Sequence, residues 1–458
     1  MFQIDYSNPL HVHFMGIGGI SMSGLAEVLF DRGFRISGSD NTPSDITKRL
    51  EDLGMHISYP QKAENITDDI DLVVYTAAIH PDNPEFAQAK EKGLPMLTRA
   101  QLLGQIIDHY NRSICVAGTH GKTTTTSMIA QILLRGKDKP TISVGGILNA
   151  IHSNIYVGDS DLFVAEACEY TNSFHAFHPK YSVILNVEED HMDFFKDLNE
   201  IEESFHTYAL NTAEDGALVI GKEIPGFAKI VRDLKCKVIT FGFDSDADYY
   251  PTDISFDEKG CATFTPIGFG KALPAITLHV PGKHNITNAL SAIAIAMEMN
   301  LSYDEISLGL SDFGGANRRF EYKGTYKGAT IIDDYAHHPT EIKASLAAAK
   351  NYPHDRLIVV FQPHTYTRTK AFLPEFAEAL SSADLVIMAK IYEAREKDIY
   401  GVSSADVQKL ILERGTKCEY FETFDEIEKF LEKNLIPNDL LITMGAGNVV
   451  KIGEDLLA

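Results

Sequence analysis

The sequence predicts an α/β protein of three units, each built on a sheet of parallel strands with helices on its faces. Three observations carry that prediction. Strand-like and helix-like segments alternate almost throughout the chain. Two apolar strands run straight into glycine-rich loops that open helices, at residues 16–21 and 118–124. The length of 458 residues accommodates three domains at roughly 150 residues each.

In the first unit, residues 1–110, "HVHFMG" is a strand entering a glycine turn, and "ISMSGLAEVLFDRG" is the helix after it. "FRISGSD" and "DLVVYTAAI" are further strands, and "LTRAQLLGQIIDHYNR" is a closing helix. The second unit, 111–317, starts a fresh strand, loop and helix with "SICVAGTHGKTTTTSMIA". Its later strands are "DLFVAEA", "YSVILNV", "ALVIG" and "KVITFGF", and its last long helix is the alanine-rich "ITNALSAIAIAMEMN". The Gly-rich "DFGGANRRFEY" marks the second boundary. In the third unit, 318–458, the strands "ATIIDDY", "RLIVVF", "DLVIMAK" and "DLLITMG" alternate with amphipathic helices. Thr423, with Glu426 three residues on, supplies a capping box for the last long helix.

Composition narrows the function class. Lys and Arg number 41 against 64 Asp and Glu, a net charge of −23, which argues against a nucleic-acid or anionic-membrane binder. The five cysteines are scattered and form no C-x-x-C pair, so neither a disulfide framework nor a zinc site is expected, and a reducing cytoplasm fits. The N-terminus "MFQIDYSNPL" lacks the basic and apolar regions of a signal peptide. No apolar run approaches the roughly 18 residues of a membrane span.

The two glycine loops carry the chemistry. "GIGGIS" holds Gly16, Gly18, Gly19 and Ile20 between strand and helix, and the acid Asp40 ends the next strand. This is a Rossmann-like arrangement that brings backbone close to a diphosphate and a carboxylate to ribose hydroxyls. Ser21 stands where a third glycine marks an NAD site, which leaves the ligand's identity open. In "GTHGKTT", Gly118 and Gly121 permit a tight path with inward-pointing N–H groups. Lys122 offers charge to terminal phosphates, and Thr123 a hydroxyl to Mg²⁺. The loop is shorter than the common P-loop, with Val116 where a glycine usually stands. Glu166 and His191 end neighbouring strands and are candidate partners of Thr123 for the metal.

In chain order, "GIGGISMSGLA", "GTHGKTTTT", "EACEYTNSF", "NVEEDHMD", "PGKHNITNAL", "NRRFEY", "DDYAHHPTE" and "PHTYTRT" resemble the motifs of the Mur ligases over essentially the whole chain. The resemblance implies an N-terminal Rossmann-like domain for a UDP-sugar, a central P-loop-containing ATPase and a C-terminal Rossmann-like domain for an amino acid. It implies an ATP-dependent, amide-forming ligase of the bacterial cytoplasm that joins L-alanine to UDP-N-acetylmuramate through an acyl phosphate, for peptidoglycan precursor synthesis. A monomer or weak homo-oligomer is expected.

Carried over by motif, "GIGGIS" and Asp40 hold UDP. Thr119, His120 and Thr124 join the nucleotide loop, and Mg²⁺ lies at Thr123, Glu166 and His191. Asn285, Asn288, Arg319 and Asp334 resemble further ATP contacts. Tyr335, His337, His364 and Arg368 line the amino-acid pocket, with Arg368 for the carboxylate and His337 for the amine proton. Parts of one site on three units imply closure as a working step.

Three departures from the family pattern are visible. "EACEY" replaces the usual "EADES", bringing in Cys168 and Tyr170, and Thr365 stands where an arginine is common. "EIEESFHTYA" has no lysine to carbamylate. The alternatives are a ligase that attaches a preformed murein tripeptide to the same UDP-sugar and, from another class, a nicotinamide-dependent oxidoreductase. The latter would leave Lys122, Glu166 and His191 without a role.

Overall fold

The computed structural model describes residues 2–76, 78–394 and 396–458. Three sheets organise the chain. The first takes the spatial order His56–Ser58, Arg35–Ser39, His11–Met15, Leu72–Tyr75, Met96–Thr98, and every pairing in it is parallel. Chain order reverses direction around His11–Met15, so a crevice opens at the carboxyl end of that strand. His11–Met15 is buried throughout, as expected of a strand covered on both faces.

The second sheet has 11 strands. Arg112–Ala117 lies in its middle, paired in parallel with Leu162–Glu166 on one side and Tyr181–Ile184 on the other. The carboxyl ends of these three strands deliver the phosphate loop, the Glu166 segment and the His191 segment to one edge. Helix Lys122–Arg135 packs Met128, Ile129, Ile132 and Leu133 into this core. Helix His284–Glu298 lies in the same core, its alanines making a narrow face that lets helices approach closely. One end of the sheet is antiparallel, through Tyr249–Phe256, Cys261–Gly268 and Ile276–Pro281. That antiparallel extension was not legible in the sequence.

The third sheet runs Glu321–Tyr326, Ala329–Asp334, Asp439–Met444, Arg356–Phe361, Leu385–Met388, Lys417–Tyr420. All its pairings are parallel except that of the first strand. "RFEY" thus runs directly into an antiparallel edge strand. The capping box at Thr423 forms as expected, with both reciprocal bonds to Glu426 present.

Candidate active site

Gly16 takes a φ of +76°, a left-handed turn that favours glycine. The Gly18 N–H donates to Asp40 Oδ2 at 2.8 Å, and a Cβ on Gly18 would sit 2.7 Å from that oxygen. The acid expected to meet a ribose therefore also closes the glycine loop. Gly16, Gly18, Gly19 and Asp40 line one open cleft, joined by Thr76 and His80, which the motif did not mark. Ile20 is half exposed beside it, and its carbonyl accepts from Asn154 Nδ2 of the central unit at 3.0 Å. Ser21, in the place of the third glycine, accepts from Arg99 Nη1 at 3.1 Å.

The phosphate loop has the left-handed turns its glycines permit, φ +144° at Gly118 and +85° at Gly121. Asn186 clamps it, accepting from His120 N–H at 2.8 Å and donating to the His120 carbonyl at 3.0 Å, while its own carbonyl accepts from Thr119 N–H at 3.1 Å. Lys122 Nζ donates to the carbonyls of Gly118 and Thr119 at 2.5 and 3.1 Å and to Glu169 Oε2 at 2.9 Å. Burial opposes the Lys122 charge, but Glu169 outweighs it and holds the ammonium above its ordinary pKa.

Glu169 is the residue the motif reading missed, although "EACEY" offers two carboxylates. It lies 3.6 Å from His191 Nε2 as well. Burial pushes its carboxyl up, while Lys122 and His191 more than reverse that and keep it ionised. Glu166 instead accepts the Gly145 N–H at 2.6 Å. Thr123 is buried on the first turn of its helix, and His191 adopts a φ of +55°.

A cavity of about 270 Å³ opens above the loop, between the central and C-terminal units. Seven residues singled out for the nucleotide line it: His120, Gly121, Thr124, Asn285, Asn288, Arg319 and Asp334. Gly118, Thr119, Lys122 and Thr123 are not among its lining residues. Asn285 and Asn288 also serve their own helix, donating to the Pro281 carbonyl at 2.7 Å and to Asn285 Oδ1 at 3.0 Å. The Arg319 guanidinium lies 5.0 Å over the Tyr335 ring. Its neighbour Arg318 is a structural tie, bonded to Asp333 and to the carbonyls of Gly445 and Gly447.

Tyr335, His337, His364 and Arg368 do come together, with the His337 and His364 rings 5.8 Å apart. The expectation of an Arg368 free for a carboxylate needs amending. Asp190 Oδ1 accepts from its Nε at 3.1 Å and its Nη2 at 2.8 Å, and Nη1 lies 3.1 Å from His364 Nδ1. Among the described residues three of the five guanidinium N–H groups are thereby engaged, leaving two for a ligand. Burial raises the Asp190 carboxyl, and Arg368 more than offsets this, holding it far below the usual range. His337 is pushed down to about 4 by burial, so its ring is neutral. Its Nδ1 lies 3.0 Å from the Tyr335 carbonyl, which can only accept, so Nε2 is the unprotonated nitrogen.

Family models match three stretches: "Mur ligase family, catalytic domain" over residues 11–111, "Mur ligase middle domain" over 116–296 and "Mur ligase, glutamate ligase domain" over 318–447. The UDP-N-acetylmuramate–L-alanine ligase of Agathobacter rectalis is 61% identical over 100% of both chains, and that of Lachnospira eligens 56% identical over 100% of both. The chain belongs to the Mur ligase family. Among solved structures, the UDP-N-acetylmuramate–alanine ligase MurC of Thermotoga maritima matches with a TM-score of 0.82 at 29% identity, covering 98% of each chain. The murein peptide ligase of Psychrobacter arcticus shares the fold, with a TM-score of 0.72 at 24% identity over 98% of each.

Within this Mur ligase the departures have structural roles. The Tyr170 hydroxyl donates to Asp193 at 2.9 Å, and its ring sits 4.7 Å from that of His191, fixing the histidine loop from outside. Thr365 caps helix Tyr366–Ala371, its side chain accepting from Arg368 N–H at 3.4 Å, at a φ of +65° that is unusual for a β-branched residue. Cys168 is a free thiol whose pKa is raised by burial and by Glu169.

Proposed function

We propose that this Mur ligase joins L-alanine to the lactyl carboxylate of UDP-N-acetylmuramate, with ATP as co-substrate. The observation that carries the reading is the pairing of two glycine loops, one facing a cleft with Asp40 and one a cavity between the central and C-terminal units, in a chain 61% identical to a ligase so named. On this reading residues 1–110 hold the UDP-sugar, 111–317 the ATP and 318–458 the amino acid.

The γ-phosphoryl group moves to the carboxylate, giving an acyl phosphate, and the alanine amine displaces phosphate to form the amide. Lys122 is assigned the charge on the moving phosphoryl group. Glu169 keeps that lysine charged and aimed across the loop until phosphates arrive. Thr123 and Glu166 offer the oxygen donors that Mg²⁺ prefers, His191 would add an imidazole, and the ion would supply neutralisation of phosphate charge. Arg319 and Asp334 bound the nucleotide from the C-terminal side. Arg368 uses its two remaining N–H groups for the alanine carboxylate, and His337 Nε2 accepts the amine proton. We assign the chain to the cytoplasm, where ATP and nucleotide sugars are made. No helix among the described residues is long and apolar enough to cross a membrane.

The deciding measurement is phosphate release from an amino-acid and peptide panel. Release should need UDP-N-acetylmuramate, Mg²⁺ and L-alanine together. Equal or faster release with the murein tripeptide would assign the chain to precursor recycling instead.

A further inference from the structure

A second cluster of metal-ligating groups lies outside the magnesium donor set. His120 of the phosphate loop, Glu188 after strand Tyr181–Ile184 and His338 of the C-terminal unit each offer one donor atom, all within 4.8 Å of one another. His120 Nε2 stands 3.6 Å from Glu188 Oε2. That is close to the edge of a tetrahedron drawn with metal–ligand bonds of about 2.0–2.1 Å. The two imidazole rings are 4.7 Å apart, centre to centre.

Two further observations point to a ligand there. Among the described residues the Nε2 atom of His338 is buried and has no hydrogen-bond partner, its side chain being only 4% exposed, while His120 Nε2 faces the Glu188 carboxylate at 3.6 Å, beyond ordinary hydrogen-bond length. A buried imidazole nitrogen without a partner is costly unless something occupies it. The opposite nitrogen of His120, Nδ1, faces Glu341 Oε1 at 3.3 Å. A carboxylate behind a histidine in this way fixes the ring and its tautomer in metal sites. Glu188 is steadied in turn by the Thr340 hydroxyl, which donates to Oε2 at 2.7 Å.

We propose that His120, Glu188 and His338 form a site for a borderline transition-metal ion of the zinc type, distinct from the phosphate-bound magnesium. Two imidazoles and one carboxylate suit Zn²⁺ or Co²⁺ rather than Mg²⁺, which prefers oxygen. Three protein ligands leave a fourth position for water or a nucleotide donor. His120 and Glu188 come from the central unit and His338 from the C-terminal one, so a bound ion ties the C-terminal unit to the phosphate loop. Binding at His338 Nε2 moves the ring proton to Nδ1 and gives up the 3.3 Å bond that Nδ1 accepts from Thr340 N–H.

The test uses the full chain, stripped with chelator and held in excess Mg²⁺ without nucleotide. Equilibrium dialysis should find one Zn²⁺ per chain, Co²⁺ should give the strong visible absorption of tetrahedral coordination, and Zn²⁺ should raise the melting temperature. His338→Asn keeps an N-cap acceptor for the following helix, and both it and Glu188→Gln should weaken Zn²⁺ binding by more than about tenfold. Thr123→Ala should leave it unchanged. The proposal is overturned if no Zn²⁺ binds in excess Mg²⁺, or if both cluster variants retain it. Loss of Zn²⁺ in Thr123→Ala alone would equally overturn it, because the ion would then be occupying the phosphate site. None of these readouts depends on ligase activity, so their failure and a failure of the ligase reading are separable.

Discussion

Asp334 sits at the wall of the cavity proposed for ATP, where its two oxygens accept from Ala336 N–H at 2.9 Å and from the Ser345 hydroxyl at 2.6 Å. Burial pushes its carboxyl up to about 6, against those bonds and the nearby Arg319. A folded pKa above the unfolded value means stability that is full below about pH 4 and lost as pH rises through about 6. At neutral pH the cost is on the order of 3 kcal/mol. Asp334→Asn keeps an acceptor for Ala336 N–H and lets Ser345 accept from its amide. That variant should melt higher than the parent at pH 7.5, with the difference shrinking towards pH 4, and should bind ATP more weakly. A pH-independent difference in melting would show that the carboxylate carries no such strain. At this scale, the sequence marked residues whose chemistry is unusual at their position, such as Lys122 and Arg319. It did not mark Glu169 or Asp190, because the two acids of "EACEY" and the three of "EEDH" look alike until the fold decides which one meets a cation.

The phosphate loop is the element on which most of the chemistry converges, and its conformation depends on glycine at two positions. Gly121 caps helix Lys122–Arg135 at a φ of +85°, and a Cβ there would lie 2.8 Å from Asn288 Oδ1. Gly121→Ala therefore meets both a left-handed backbone, costing about 1–2 kcal/mol, and a contact with the helix that forms the cavity floor. We expect ATP affinity to fall by tenfold or more by calorimetry, while the UDP-sugar binds as before. Equal loss of both ligands would mean that the loop is not specific to ATP. The glycine loops and the alternating strands around them were legible because their signals are local: a turn residue at a fixed offset and an apolar run beside it. The hairpin strands between residues 249 and 281 were not, since antiparallel pairing there is set by partners across the sheet, as with Thr252 against Thr265.

The relation of the units to one another lies beyond any local signal. Parts of one site on separate units imply closure, and the structure shows contacts that would hold two of those units together. The buried Asp190–Arg368 pair and the Thr340–Glu188 bond at 2.7 Å both join the central unit to the C-terminal one, and the cavity proposed for ATP lies between them. Removing one partner of a buried pair typically costs about 3–5 kcal/mol, which is large beside the modest interfaces that hold domains within a chain. Asp190→Asn combined with Thr340→Val should therefore release the C-terminal unit in the free protein. Small-angle scattering should give a larger radius of gyration for the double variant than for the parent, and a non-hydrolysable ATP analogue with UDP-N-acetylmuramate should narrow the gap. Superimposable ligand-free curves would show that other contacts set the closed state. A gap that persists with ligands bound would show that the pair is needed for closure itself, and that the substrates do not supply it. The expected outcome makes the Asp190–Arg368 pair, with the Thr340–Glu188 bond, the latch between the central and C-terminal units.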